Sequence, residues 1–239
     1  MCGNDDPRGI AHVCMQDIRL EEVHALEKPV ILIGAGGQAL VLAECLQLLQ
    51  VDVLGIIDKY PLGGGRTPCK LPFLGTDEDM AAYPPTEVML VNGIGSVGST
   101  VLRQRIYERY HALGYAFRSV IHPTAVVSPM AALGEGVQIF AGAVIGPDAR
   151  IGDDTIINTR TSVDHECRIG AHSHLAPGCT LSGGVTVGVG VHIGTGTSVI
   201  QGCRIGDGTT VGAGSLVLHD IPDHVLAYGV PARIVRSLK

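Results

Sequence analysis

Six histidines fall between residues 122 and 219, and one of them, His165, stands between two carboxylates in the run Asp164-His165-Glu166. A neutral imidazole accepts a proton near pH 7, and an adjacent carboxylate makes it a better base. Transfer of an acyl group from a thioester to an amine or hydroxyl needs little more than such a base. The remaining requirement is a hydrogen-bond donor for the tetrahedral oxyanion. Gly183 lies eighteen residues after His165. Its backbone N–H becomes a candidate for that donor if the chain repeats with a period of eighteen.

The sequence does repeat, with a beat of six. From Ile121 to Val217, every sixth residue is Ile, Leu or Val, seventeen in succession. Four residues after each comes a small or slim side chain, as at Ala125, Thr155, Cys167 and Ser173. Gly fills the second position of eight of the seventeen units. Neither a helix of 3.6 residues per turn nor a two-residue alternation yields this beat. A solenoid does: each hexad is a short strand plus a turn, and three hexads close one triangular coil. The leading aliphatic points inward and residues eighteen apart stack on neighbouring coils, so residues 121–222 make close to six coils. His165, third in its hexad, is then directed outward or into a turn. Cys167, Cys179 and Cys203 take the inward fifth position and read as small core residues rather than nucleophiles.

Upstream the texture changes. Residues 29–34 read as a buried strand, and the glycine-rich stretch at 35–38 opens a helical run to Gln50. A second strand, residues 53–57, ends at Asp58. A third, 87–91, leads into the loop from Asn92 to Gly98; Ser99 then caps a helix that stops at Gly114, and residues 115–120 form a fourth strand. Strand, glycine turn, helix, strand and acid make half of a Rossmann unit. Gly36, Gly37 and Gln38 in the first loop, Asp58, and Gly95 in the second loop are the candidate substrate contacts. One half suits a mononucleotide or nucleotide-sugar better than NAD, and no GK[ST] follows the glycines. The expected division is residues 1–27 as an N-terminal extension, disordered or with one short helix at 18–26; residues 28–120 as the α/β nucleotide-sugar domain; residues 121–222 as the β-helix; and residues 223–239 as a C-terminal cap.

Composition narrows the function classes. Seventeen Lys and Arg against 23 Asp and Glu give a net charge of −6 over 239 residues, with no basic surplus for nucleic acid. A hydrophobic share of 46% with 17% charged residues excludes disorder for most of the chain. No apolar run reaches the roughly 18 residues of a membrane span, and the N-terminus lacks the basic start and apolar stretch of a secretory signal. Seven cysteines with no CxxC pair fit a reduced cytoplasm.

The order of these parts resembles one family. A Rossmann-like half, an IHPTA hinge at residues 121–125, hexapeptide coils carrying N-x6-H-E and a GVPAR tail at 229–233 look like the sugar acetyltransferases of the bacillosamine and sialic acid pathways. The resemblance covers residues 29–239. It implies a left-handed β-helix and a homotrimer with acetyl-CoA held between adjacent helices. The nucleotide-amino-sugar would reach down from the front domain. It makes His165 the general base, Glu166 the carboxylate that modulates it, and Asn158 and His174 polar residues lining the acceptor and acetyl-donor site. Donor contacts fall near Thr195 and Ala213, and Arg233 is available to a CoA phosphate. Many members carry His where this chain has Gln38, and Lys59 follows Asp58 where some place a second acid, which leaves the identity of sugar and nucleotide open.

The activity implied is acetyl-CoA-dependent N-acetylation of a nucleotide-linked 4-amino-4,6-dideoxy sugar, with no metal. O-acetylation of a sialic acid or related sugar would use the same base. A γ-carbonic-anhydrase-like zinc site is a third reading, but the histidine spacing does not match it. His172 reads as a solvated face residue, and His192, eighteen residues after His174, as edge-filling or a ligand contact.

Overall fold

The computed structural model describes residues 28–59 and 68–238; the expected extension at 1–27, with its helix at 18–26, lies outside the described residues. The front part is a four-stranded parallel sheet in the order β3-β2-β1-β4, formed by β1 (Val30–Ile33), β2 (Val53–Ile57), β3 (Phe73–Gly75) and β4 (Met89–Asn92). All four residues of β1 are buried, as a central parallel strand requires, and its alternate side chains feed two separate cores. Val30 and Leu32 pack with helix α1 (Gly37–Leu48), whereas Ile31 and Ile33 belong to the core that includes Tyr107 and Tyr110 of helix α2 (Val101–Ala112).

Two expectations need correction here. The fourth strand of the sheet is β3, not residues 115–120. Of that segment only Phe117 bridges β4, at Leu90, and Val120 already pairs with the first full coil at Gln138. Tyr115 and Phe117 are strand-like residue types, but they are buried as aromatic anchors where the chain leaves one layer for the next. Thr100 rather than Ser99 stands at the N-cap of α2, with no side-chain cap bond; Ser99 Oγ accepts only a long 3.4 Å bond from the Val101 N–H.

The six-residue beat folds as expected. Seventeen two-residue strands, Val120–Ile121 through Leu216–Val217, stack into three parallel sheets with partners eighteen residues apart, such as Ile157 with Leu175. This is the left-handed parallel β-helix, a triangular prism whose interior is a single column of Ile, Leu and Val. Polar residues in the fifth position are satisfied from coil to coil: Thr161 Oγ1 donates to the Ala176 carbonyl and Ser173 Oγ to that of Gly188. The cysteines there are core residues, Cys167 and Cys179 with no exposure at all, and burial pushes the Cys179 thiol up to about 11.

The three outer faces differ in chemistry. One carries Gln138, Ile156, His174 and His192, all buried under the front part, with Phe140 and Ile156 joining the α1 core. The second presents Val126, Val144, Ser162, Thr180, Ser198 and Leu216, none of them charged. The third carries Arg150, Arg168, Thr186 and Arg204 in register. We call them the covered, neutral and arginine faces. The antiparallel hairpin Val225–Gly229/Ala232–Ser237 extends the covered face beyond Thr210 and ends the stack.

Candidate active site

The loops after β1 and β4 leave a crevice at the point where the chain order of the sheet reverses, the usual ligand position in open parallel sheets. A cavity of about 540 Å³ opens there, lined by Gly36, Gly37, Gln38, Asp58, Gly95 and His174 among others. Asp58 Oδ2 accepts a 2.8 Å bond from the Ala35 N–H, which braces the first loop. Gln38 Nε2 donates to Gln138 Oε1 at 2.9 Å, and Gln138 Nε2 donates to the Asn92 carbonyl at 2.7 Å. The expected nucleotide-side residues therefore share one cavity.

The floor of that cavity is the covered face of the prism. Ser96 Oγ from the second loop lies 2.7 Å from His174 Nδ1 and 3.3 Å from His192 Nδ1. Asn158 Nδ2 lies 3.1 Å from His174 Nε2. Burial, then the neighbouring His192 and Arg103, bring His174 down to about 3, so the ring is neutral. The resemblance assigns His174 to the acetyl-donor side; the structure brings it against the second glycine loop, with both ring nitrogens engaged inside the chain. His192 meets His174 edge-on at 5.2 Å and is also buried, which makes it part of the same seat.

His165 occupies a different corner, between the neutral and arginine faces. Its side chain is 54% exposed, and Nδ1 stands 3.0 Å from Glu166 Oε2. An Nδ1–H donated to that carboxylate leaves Nε2 as the atom that can take a proton. The ring lies flat against Gly183 one coil above: a Cβ there would stand 2.4 Å from His165 Cε1 and 2.5 Å from Nε2. The neighbouring amides are committed to the ladder, Ser182 N–H to Val199 and Gly184 N–H to His165.

The expected site thus comes in two halves within one chain. His165, Glu166 and Gly183 sit at one end of the neutral face. Asn158, Thr195 and Ala213 sit at its other end, on turns bordering the covered face, with Thr195 and Ala213 exposed. Arg233 projects from the last strand, exposed, its Nη1 reaching only the Ala232 carbonyl.

Several residues at the junction were not anticipated. Arg103 and Asp154 form a fully buried ion pair at 2.7 Å, and Arg103 Nη1 also donates to the carbonyls of Asn92 and Ile94 in the loop. His172 belongs here and is not a solvated face residue: it is 9% exposed, its Nδ1 lies 3.1 Å from Asp154 Oδ2 and its ring stands edge-on to Tyr107. A sequence signal existed for part of this. From residue 136 to residue 214 the fourth position of each hexad adopts positive φ and is Gly in most turns, yet Asp148, Asp154, Arg160, Glu166 and His172 occupy it in five successive turns. Holding a side chain there costs about 1–2 kcal/mol, and three of the five, Asp154, Glu166 and His172, make the contacts just described. Among the described residues no group of three or more His, Cys, Asp or Glu converges as metal ligands would, and no helix is long and apolar enough to cross a membrane.

A prism of hexapeptide coils beneath a parallel sheet is the build of a hexapeptide transferase, and the model of the bacterial transferase hexapeptide (six repeats) matches residues 148–183. A histidine variant of perosamine N-acetyltransferase from Caulobacter crescentus, solved with CoA and GDP-perosamine, is 41% identical, with 87% of this chain and 97% of that one covered and a TM-score of 0.82. The acetyltransferase domain of PglB from Neisseria gonorrhoeae, solved with acetyl coenzyme A, is 33% identical over 87% of this chain and all of its own, with a TM-score of 0.80. WeeI from Acinetobacter baumannii, at 24% identity and a TM-score of 0.77, shares the fold. None of the curated proteins compared with the chain matches it. The chain belongs to the family of hexapeptide-repeat sugar N-acetyltransferases.

Proposed function

We propose that the protein transfers the acetyl group of acetyl-CoA to the amine of a nucleotide-linked 4-amino-4,6-dideoxy sugar. The observation that carries this reading is His165, an accessible imidazole backed by Glu166 and laid against Gly183. The sugar amine attacks the thioester carbonyl while His165 Nε2 takes its proton. The oxyanion is held by the Gly183 N–H. Collapse of the intermediate expels the CoA sulfur, which recovers the proton from His165, so amine and thioester become amide and thiol. The nucleotide half fits the cavity at the sheet switch point, where Gly36, Gly37, Gln38, Asp58 and Gly95 meet it. N-acetylation is favoured over O-acetylation because the relative solved with a nucleotide-amino-sugar is an N-acetyltransferase.

The split site calls for more than one copy. When three prisms stand around an axis with the neutral face inward, the two ends of that face meet their counterparts on neighbouring copies. The His165 end of one chain then adjoins the Asn158, Thr195 and Ala213 end of the next, leaving a slot for acetyl-CoA with Arg233 near its phosphates. Uncharged Val126, Val144, Ser162, Thr180 and Ser198 support this packing, whereas turning the arginine face inward would crowd like charges. A cytoplasmic location is part of the proposal, since it draws on acetyl-CoA and a nucleotide-sugar as substrates.

Replacing His165 with Ala should lower turnover by roughly 10²–10⁴-fold without changing the oligomer. Thiol release from acetyl-CoA, assayed with UDP-, GDP- and dTDP-4-amino sugars, reads this directly. Turnover of the variant at the wild-type rate would remove the base assignment.

A further inference from the structure

The hydrogen bonds beneath the second loop fix more than contact. The Thr159 backbone N–H can only donate, and it donates to Asn158 Oδ1 at 2.7 Å. The other end of that amide, Nδ2, therefore faces His174 Nε2 at 3.1 Å and must donate to it. Nε2 then carries no proton, so a neutral His174 carries its proton on Nδ1, aimed at Ser96 Oγ 2.7 Å away. A hydroxyl that accepts from one ring is free to donate to another, and His192 Nδ1 lies 3.3 Å from it. Every donor in the chain Asn158, His174, Ser96, His192 thus runs in one direction.

We propose that Ser96 is a positioning residue of the reaction: as the acceptor of the His174 Nδ1–H it holds the ring against Asn158 and so steadies the Asn158 amide at its corner of the neutral face. The inference rests on the functional reading above, since it gives the contact a task. Ser96 lies on the loop that walls the cavity at the sheet switch point, and Asn158 lies on the turn that faces the neighbouring copy's His165 corner in the proposed trimer. One N–H of the Asn158 amide is spent on His174, which leaves the second for a ligand. A nucleotide-sugar that settles the loop also settles Ser96, then His174, then that amide. His174, with its lone pair already committed to Asn158, leaves the work of the base to His165.

The test is spectroscopic first. In protein labelled with ¹⁵N-histidine, long-range ¹H–¹⁵N correlations near neutral pH should show His174 protonated at Nδ1 and His192 at Nε2. In Ser96→Ala the buried Nδ1–H loses its acceptor. The His174 Nδ1–H should lose its downfield, hydrogen-bonded proton shift and exchange faster with solvent, and kcat should fall roughly tenfold, the worth of one buried neutral hydrogen bond, with KM for acetyl-CoA unchanged. Ser96→Thr keeps the hydroxyl and should restore both readouts, which a purely structural role would not link. His174 protonated at Nε2 in the wild type, or Ser96→Ala turning over within about twofold of it, would overturn the inference. The wild-type spectrum decides the tautomer with or without turnover, so inactivity of the wild type toward every nucleotide amino sugar would count against the functional reading alone.

Discussion

Gly183 does two jobs that no other residue type can combine. In the proposed reaction its amide meets the oxyanion, and its missing side chain makes room for the His165 ring. Its backbone is not in the left-handed region, so Gly183→Ala leaves the turn itself unstrained, and the clash falls on the imidazole. Displacing a catalytic base by about 1 Å costs roughly 10²-fold in rate. We expect Gly183→Ala to lose kcat on that scale while its melting temperature stays within a few degrees of the wild type, and an unimpaired kcat would separate Gly183 from the chemistry. This part of the site was legible in the sequence because the eighteen-residue coil converts spacing into contact. The partners of Ser96 and Arg103 were not legible, since they join loop, helix and prism across intervals that follow no period.

The front sheet, helix α2 and the prism are joined through one buried charge. Within the sequence RQRIYER, Arg103 reads as one more solvated position of a polar helix, yet tertiary packing closes over it completely. It ties together Asp154 on the prism and the carbonyls of Asn92 and Ile94 at the root of the second glycine loop. Asn92 Nδ2 adds a bond to the same Asp154 carboxylate at 3.0 Å. Removing one partner of a buried pair strands the other charge, at a cost of about 3–5 kcal/mol. Urea unfolding of Arg103→Ala should show a loss of that size, with weakened nucleotide-sugar binding in the fraction that stays folded; a loss below about 1 kcal/mol would mean that the pair is not the joint. At this scale the repeat announced itself, because every hexad has the same local geometry. Strand β3 did not, being a three-residue edge strand too short to carry a pattern. The strand-like aromatics at 115 and 117 misled for the opposite reason, since residue type alone does not distinguish an anchor from a strand.

His165 and Asn158 stand at opposite edges of an uncharged face, and the proposed reaction requires that copies complete each other. Sequence spacing gave the stacking of residues within a corner but not the separation between corners, which depends on how three faces differ in chemistry. Complementation tests the claim most directly. His165→Ala and Asn158→Ala should each be nearly inactive alone. Co-expressed in equal amounts and purified as mixed trimers, they should regain about one third of wild-type activity, because one of the three interfaces in each receives an intact His165 corner from one chain and an intact Asn158 corner from its neighbour. Mixed trimers as inactive as either parent would mean that both corners act within a single chain, contradicting a site assembled between copies.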